Sequence, residues 1–345
     1  MDVSYTRSLD SVDPREWRRL AERAGHVFAT REWLLTWWRH FAKGGRPLVA
    51  LARADGDLRV IVPMYEWWRH GVPVLRFVGH GASDRLGPIC GAPSEPETAA
   101  ALEDSLRALP LRRFVLVGER IAGEQRFGEL TGARLLYREA NPILRLSHSS
   151  WDEFLRARSR NFRDQVASFP RRLSRQGALS YRLASDPDRL ETDLETLFDL
   201  HRQRWTEATS PFLLAAAFHR DFAAQAQREG WLRLWFLELD DRPVAALYGF
   251  RFAGVEAFYQ AGRDPAYRSV GFVLLCHALR EAVSEGVQSF SLLRGTSMFK
   301  ERFANGDAGV ETFALHRGVA GRILLAAATA ARGRSLGLRR VLDRL

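Results

Sequence analysis

Apolar and polar positions change period along the chain, and the changes mark its elements. Residues 13–24 show a helical stripe, opened by Asp13 as cap with Pro14 at the first helical position. A second helix is predicted over 30–45, capped by Thr30 and stopped by Gly44. Alternation then takes over. "PLVALARADGDLRVIVPMYEWW" reads as strand, Asp-Gly turn and strand, and "VPVLRFVGH" as a further strand. A helix over 94–109 and the strand "RRFVLVGE" follow, and 133–147 reads as extended.

Past residue 147 the order repeats as helices, strands, helix and strand. Residues 151–177 are predicted helical and basic, with Phe162, Val166, Phe169 and Leu173 on one face. Pro170 predicts a kink or restart there. Helices are predicted over 193–207 and over 210–230, the latter capped by Ser210 and ended by Gly230. "WLRLWFLELDDRPVAALYGFRFAGVEAFYQAG" reads as a three-stranded meander, turning at Asp240-Asp241 and Ala253-Gly254. An apolar helix over 269–286 stops at Gly286, and "VQSFSLLRG" is again a strand. The fold class is therefore α/β. Only the order of elements repeats; no sequence repeat is detectable.

Composition narrows the picture. A chain of 345 residues suggests two domains, and 46% hydrophobic residues suffice for real cores. Two cysteines, Cys90 and Cys276, exclude a disulfide framework and a Cys-rich zinc site, which fits a reducing cytoplasm. The first residues carry acids and do not read as a signal peptide, and no apolar run would span a bilayer. A net charge of +10 favours anionic partners. No Gly-x-Ser-x-Gly elbow, Walker loop or His-Glu-x-x-His motif is present.

The chemistry gathers in "YQAGRDPAYRSVGFVLL", residues 259–275. A strand ends near Tyr259, and a helix begins where Arg268 and Gly271 stand three apart. Amides at a helix start, with a glycine permitting close approach, suit a pyrophosphate; the alternative is a plain turn into a packed helix. A meander, a helix entered through Arg-x-x-Gly and a strand is the core order of the GNAT acyltransferase fold. With "LHRQRW" (200–205), "LLRGTSMFKERF" (292–303), "FATREWLLTWWRHF" and "GASDRLGPI", the chain resembles the bacterial GNAT acyltransferase domains associated with cellulose and exopolysaccharide synthesis. Those are similar in turn to Fem-type transferases, which draw on aminoacyl-tRNA.

That resemblance implies two tandem GNAT-like domains, each a mixed, mostly antiparallel sheet flanked by helices. They are expected at 1–147 and 148–318, followed by a basic amphipathic helix over 319–345 that either packs on its domain or touches an anionic membrane weakly. It implies transfer from acyl-CoA (acetyl-CoA the simplest) to an amine or hydroxyl of a small-molecule, sugar or envelope-precursor acceptor, with no metal. Arg268, Ser269, Val270, Gly271 and Phe272 would hold the CoA. His201 would be the base, or a packed core residue. Tyr259 would protonate the departing thiolate, or simply fill a strand face. Asp84, Arg204, Asp264, Arg294 and Lys300 would bind substrate, or serve as turn and surface residues. Ser291, Val273 and the pair Phe299-Lys300 depart from the family pattern. Two other functions therefore stay open: a Fem-type transferase using aminoacyl-tRNA, and a catalytically degenerate binding module. The expected place is the cytoplasm, peripheral to the inner membrane if the tail binds lipid.

Overall fold

The computed structural model describes residues 2–69, 72–147, 150–205, 210–316, 319 and 323. The chain divides into two compact units, Met1–Ala140 with Ala308–Leu345, and Asn141–Asp307.

The first unit runs β1 (Asp2–Thr6), α1 (Pro14–Ala24), α2 (Arg31–Phe41), β2 (Arg46–Ala54), β3 (Asp57–Arg69), β4 (Val72–Phe77), β5 (Ile89–Cys90), α3 (Pro96–Ala108), β6 (Val115–Ile121), α4 (Phe127–Thr131) and β7 (Arg134–Glu139). The Asp13 carboxylate accepts from the amides of Arg15 and Glu16, and the Thr30 hydroxyl from Trp33, so α1 and α2 start where their caps predict. Trp17, Trp33 and Trp37 are fully buried, which makes them packing residues. The strand order is β1-β2-β3-β4-β6, then a late strand β15 (Val310–Leu315), then β7, with β5 paired to β3.

The second unit runs β8 (Pro142–Arg145), α5 (Trp151–Arg156), α6 (Arg160–Leu173), β9 (Leu179–Leu183), α7 (Leu190–Arg202), α8 (Pro211–Leu214), α9 (Ala216–Arg228), β10 (Leu232–Leu239), β11 (Arg242–Phe252), β12 (Val255–Arg263), α10 (Val270–Ser284), β13 (Ser289–Ser291), α11 (Met298–Glu301) and β14 (Gly306–Asp307). Its sheet is ordered β14-β8-β13-β12-β11-β10-β9. Both meander turns fall where the sequence places them. Asp240 and Asp241 take φ 49° and 61°, and Ala253 and Gly254 take 49° and 75°, the left-handed pairs that match hairpin twist.

Among the described residues each sheet holds one parallel pair between strands, β4 with β6 and β12 with β13, each joined through one helix, α3 or α10. The molecule is thus a tandem of two mixed sheets flanked by helices. The ladders place the joins differently from the sequence reading. β8 pairs with β13 at Ser289–Ser291, so the second unit begins at Asn141, not at 148. β15 pairs with β6 and β7, so the chain returns to the first unit after Asp307, not at 318. Short strands whose partners lie far along the chain leave no local signal. The expected helix over 319–345 lies outside the described residues, apart from positions 319 and 323.

Three predicted helices also differ. Ser159 caps a fresh start, accepting from the Phe162 amide at 3.2 Å, so 151–177 is two helices, α5 and α6. Pro170 lies inside α6 without breaking it. The 210–230 helix divides at Ala215 into α8 and α9, and α7 ends at Arg202 instead of running to 207.

Candidate functional site

β13 pairs with β12 only at Val255, Glu256 and Ala257. From Phe258 to Arg263, β12 keeps its ladder to β11 but, among the described residues, has no strand on its other side. The parallel pair therefore forks toward its carboxyl ends, where open α/β sheets bind ligands. At the fork the β11–β12 register slips: Gly249 faces Phe258 and Tyr248 faces Gln260, which leaves Tyr259 as the bulged residue. Phe258 packs into the core under α10. Tyr259, half-buried, sits against Phe212, His219, Tyr248 and Phe250, at ring-centroid distances of 5.5–6.5 Å.

The start of α10 stands beyond this fork. Its cap, Ser269, is left-handed with φ 67°, and its side chain bonds no helix amide. Val273 is the first residue whose amide bonds back, to the Ser269 carbonyl at 3.0 Å. The amides of Val270, Gly271 and Phe272 therefore have no acceptor within the helix. No acid lies in this first turn. Gly271 does not need its lack of a side chain for the fold: its φ is unremarkable, and a Cβ there would meet nothing within 4 Å. The helix-packing explanation of Gly271 thus fails, and the bare surface beside three amides that have no acceptor within the helix remains. Arg268 is exposed next to it. Phe272 is buried against Phe162, Phe169 and Phe303, with the Arg302 guanidinium 4.9 Å from its ring centre.

His201 lies at the end of α7, only 4% exposed. Its Nδ1 is 2.9 Å from the Ala261 carbonyl and its Nε2 is 3.0 Å from Ser210 Oγ. A neutral ring that donates from Nδ1 and accepts at Nε2 satisfies both. Burial lowers its pKa, in part against the Ala261 bond. Both nitrogens are thus engaged in joining α7, β12 and the Ser210 cap of α8. Arg204, expected to bind substrate or to be a surface residue, lies past the end of α7 and is exposed, with its guanidinium 5.1 Å from the Trp205 ring centre.

Other expected site residues are held by the fold. Asp264 makes an Asx turn, accepting from the Ala266 amide at 2.9 Å, and pairs with Arg242 at 3.1 Å. Lys300 donates to the carbonyls of Leu293 and Arg294, at 3.1 and 2.7 Å. It braces the loop after β13, where Leu293 and Gly295 both have positive φ. Arg294 is half-buried on that loop. Asp84 is half-buried in the first unit. Among the described residues no group of three or more His, Cys, Asp or Glu could hold a metal.

The first unit's fork is filled from within. β4 and β6 pair through Arg76 and Val117; then Leu86 takes the place beside Ile121, its amide 2.9 Å from the Arg120 carbonyl. Its connecting helix, α3, begins at Glu95-Pro96-Glu97, and acids there oppose a phosphate. A polar group that sequence reading missed sits here: Arg76, His80 and Glu119 converge from β4, the following loop and β6. They are dispersed along the chain, and none forms a motif.

Residues 160–301 match the family model described as an acetyltransferase (GNAT) domain. No curated protein matches in sequence. Among solved structures, FemX superposes with a TM-score of 0.65 at 10% identity, over 95% of this chain and 100% of that one. The C-terminal domain of a putative lysylphosphatidylglycerol synthetase from Agrobacterium fabrum gives 0.61 at 11% identity, over 93% and 96%. A tandem GNAT protein from the clavulanic acid biosynthesis pathway gives 0.52 at 12% identity, over 92% and 99%. The architecture is that of a tandem GNAT fold, with its GNAT domain match in the second unit.

Proposed function

We propose that the second unit, with its acetyltransferase-type GNAT domain, is an acyltransferase that takes its acyl group from an acyl-CoA and passes it to an amine or hydroxyl. The observation that carries this is the start of α10. Three amides lack helix acceptors, the first turn is free of acid, and Gly271 has no internal reason to be glycine. Those features suit a pyrophosphate, with Arg268 as a charge-assisted donor beside it.

Bound there, acyl-CoA supplies an acyl group already activated as a thioester. The open edge of β12 past Ala257 offers backbone N–H groups to a carbonyl oxygen gaining charge. Tyr259, on the bulge of that edge, supplies a phenol as proton donor to the leaving sulfur. His201 acts as a positioning residue in this scheme, since its two nitrogens are committed. The acceptor's neutral amine or hydroxyl attacks the thioester carbonyl carbon as the C–S bond breaks, and the proton it sheds passes through water to restore the Tyr259 phenol. The acceptor's class, whether small molecule, sugar or envelope precursor, follows the cellulose- and exopolysaccharide-associated resemblance alone.

Calorimetric titration of the whole chain with acetyl-CoA tests the reading. Saturable binding that Gly271→Val weakens at least tenfold supports it; no binding by the unaltered chain sinks it. A Fem-type donor, aminoacyl-tRNA, is the second reading. It is favoured by the exposed Arg160, Arg163 and Arg171 on α6, the helix packed against Phe272, and by Arg175 in the turn after it. Binding to tRNA that falls steeply between low and moderate salt, with none to acetyl-CoA, would select it.

A further inference from the structure

The parallel pair β12–β13 sends both of its following segments to one end of the sheet: α10 after β12, and the loop with α11 after β13. Arg302 closes α11. Its guanidinium carbon lies 4.9 Å from the centre of the Phe272 ring. Phe272 is the third residue of α10, one of the three whose amides have no acceptor within the helix. An Arg302 Nη atom donates to Gln165 Oε1 on α6. Arg302 is exposed, and among the described residues it makes no ion pair with a carboxylate.

Its surroundings are positive. Phe162, the third residue of α6, meets Phe272 edge-on at 5.5 Å, and the first turn of α6, like that of α10, holds no acid. Arg158, just before α6, has its guanidinium 4.5 Å from the Phe154 ring centre and 5.9 Å from that of Phe162, again with no carboxylate among the described residues. Asp164 on α6 lies 3.8 Å from Arg160, and Glu301 on α11 is exposed. Lys300, the neighbouring cation, is spent on the carbonyls of Leu293 and Arg294. Arg302 is thus a cation held by a ring and an amide oxygen, with its charge not neutralised, beside the start of α10.

We propose that Arg302 binds the 3′-phosphate of the donor, so that the second unit takes an acyl-CoA in preference to the same acyl thioester on a carrier without that monoester. This rests on the acyl-CoA reading and deepens it. Coenzyme A carries its charge in two places, the pyrophosphate and the ribose 3′-phosphate. The amides of α10 and Arg268 suit the first. A phosphate monoester carries about −1.5 to −2 charges at neutral pH and calls for a cation of its own. A guanidinium has five N–H donors in a planar fork that matches phosphate oxygens. Arg302 gives Gln165 a bond and keeps further N–H groups and its charge. Its contacts with Phe272 and Gln165 fix the plane before a ligand arrives, which reduces the ordering cost of binding.

Calorimetric titration of the whole chain with CoA and with 3′-dephospho-CoA tests this, since the two ligands differ only in the monoester. The unaltered chain should bind CoA at least about tenfold more tightly, the size of a charge-assisted hydrogen bond. Arg302→Gln should bring CoA down to the affinity of dephospho-CoA and leave dephospho-CoA within about twofold, a coupling between residue and phosphate that a merely structural role does not produce. Arg268→Ala should weaken both ligands alike, because both carry the pyrophosphate. Equal affinity of the unaltered chain for the two ligands overturns the role of Arg302 and leaves the acyl-CoA reading in place. So does a preference that survives Arg302→Gln, or an equal loss of both ligands in that variant. No binding of either ligand by the unaltered chain removes the acyl-CoA reading itself, and this role with it. If circular dichroism shows Arg302→Gln unfolded, Arg302→Met, which keeps a long stem over Phe272, takes its place with the same expected loss of preference.

Discussion

His201 and Gly262 pack backbone against backbone: a Cβ built on Gly262 would stand 2.6 Å from the His201 nitrogen and 2.7 Å from the Leu200 carbonyl carbon. That approach lets the last turn of α7 rest on β12 and brings the His201 ring to the Ala261 carbonyl. One glycine thus sets the distance between a helix and the open strand edge. A second, Gly271, stands clear of the rest of the protein.

The two glycines should respond oppositely to the same change. Gly262→Ala forces helix backbone apart and should cost about 1–3 kcal/mol of stability. Gly271→Ala meets no atom and replaces glycine in a helix, so stability should hold or rise by about 0.5–1 kcal/mol. Acetyl-CoA affinity should nevertheless fall in Gly271→Ala. Equal melting losses in both variants would remove the assignment of α10's start to a ligand.

Arg268→Ala should raise the acetyl-CoA dissociation constant about tenfold, the equivalent of ~1.5 kcal/mol for a charged hydrogen bond. Its exposure predicts no change in melting. Unchanged affinity by calorimetry would take Arg268 out of the site.

Tyr259→Phe retains the ring among Phe212, His219, Tyr248 and Phe250 and removes only the phenol. If that phenol protonates the leaving sulfur, kcat should drop roughly 10²-fold with KM nearly constant. A full-rate Tyr259→Phe would leave the residue as packing at the bulge.

His201→Ala deprives the Ala261 carbonyl and the Ser210 hydroxyl of their partner and opens a cavity, which should cost about 2–4 kcal/mol. Turnover per folded molecule should change less than in Tyr259→Phe. A stable variant with no turnover would restore His201 as the base.

Stability should decline as pH falls below about 6.5. His26, His80, His201 and His277 all have pKa values lowered in the fold, chiefly by burial. The unfolded chain then binds more protons than the folded one over that window, so acid favours unfolding. Glu119, held low by Arg76, adds a further loss below about 4.5, where the unfolded carboxyl protonates first. Calorimetric melting from pH 7.5 to 4 should show both; a flat profile to pH 5.5 would contradict the histidine part.

The sequence by itself determined the meander, its two left-handed turns, the apolar helix after it and the glycine at that helix's start. Each depends on neighbours a few residues away: caps, alternation, and residues that tolerate positive φ. It also carried the tandem arrangement, through element order. The tertiary structure decided what depends on distant partners. β8, β14 and β15 are short, and pairing alone assigns them, so the unit boundaries could not be read locally. Arg204 lies outside the helix that the sequence predicts over 193–207, because α7 ends two residues earlier, at Arg202. Asp264 took Arg242 from another strand. Arg76, His80 and Glu119 meet only because parallel strands β4 and β6 fork around a loop, and no spacing along the chain encodes that meeting.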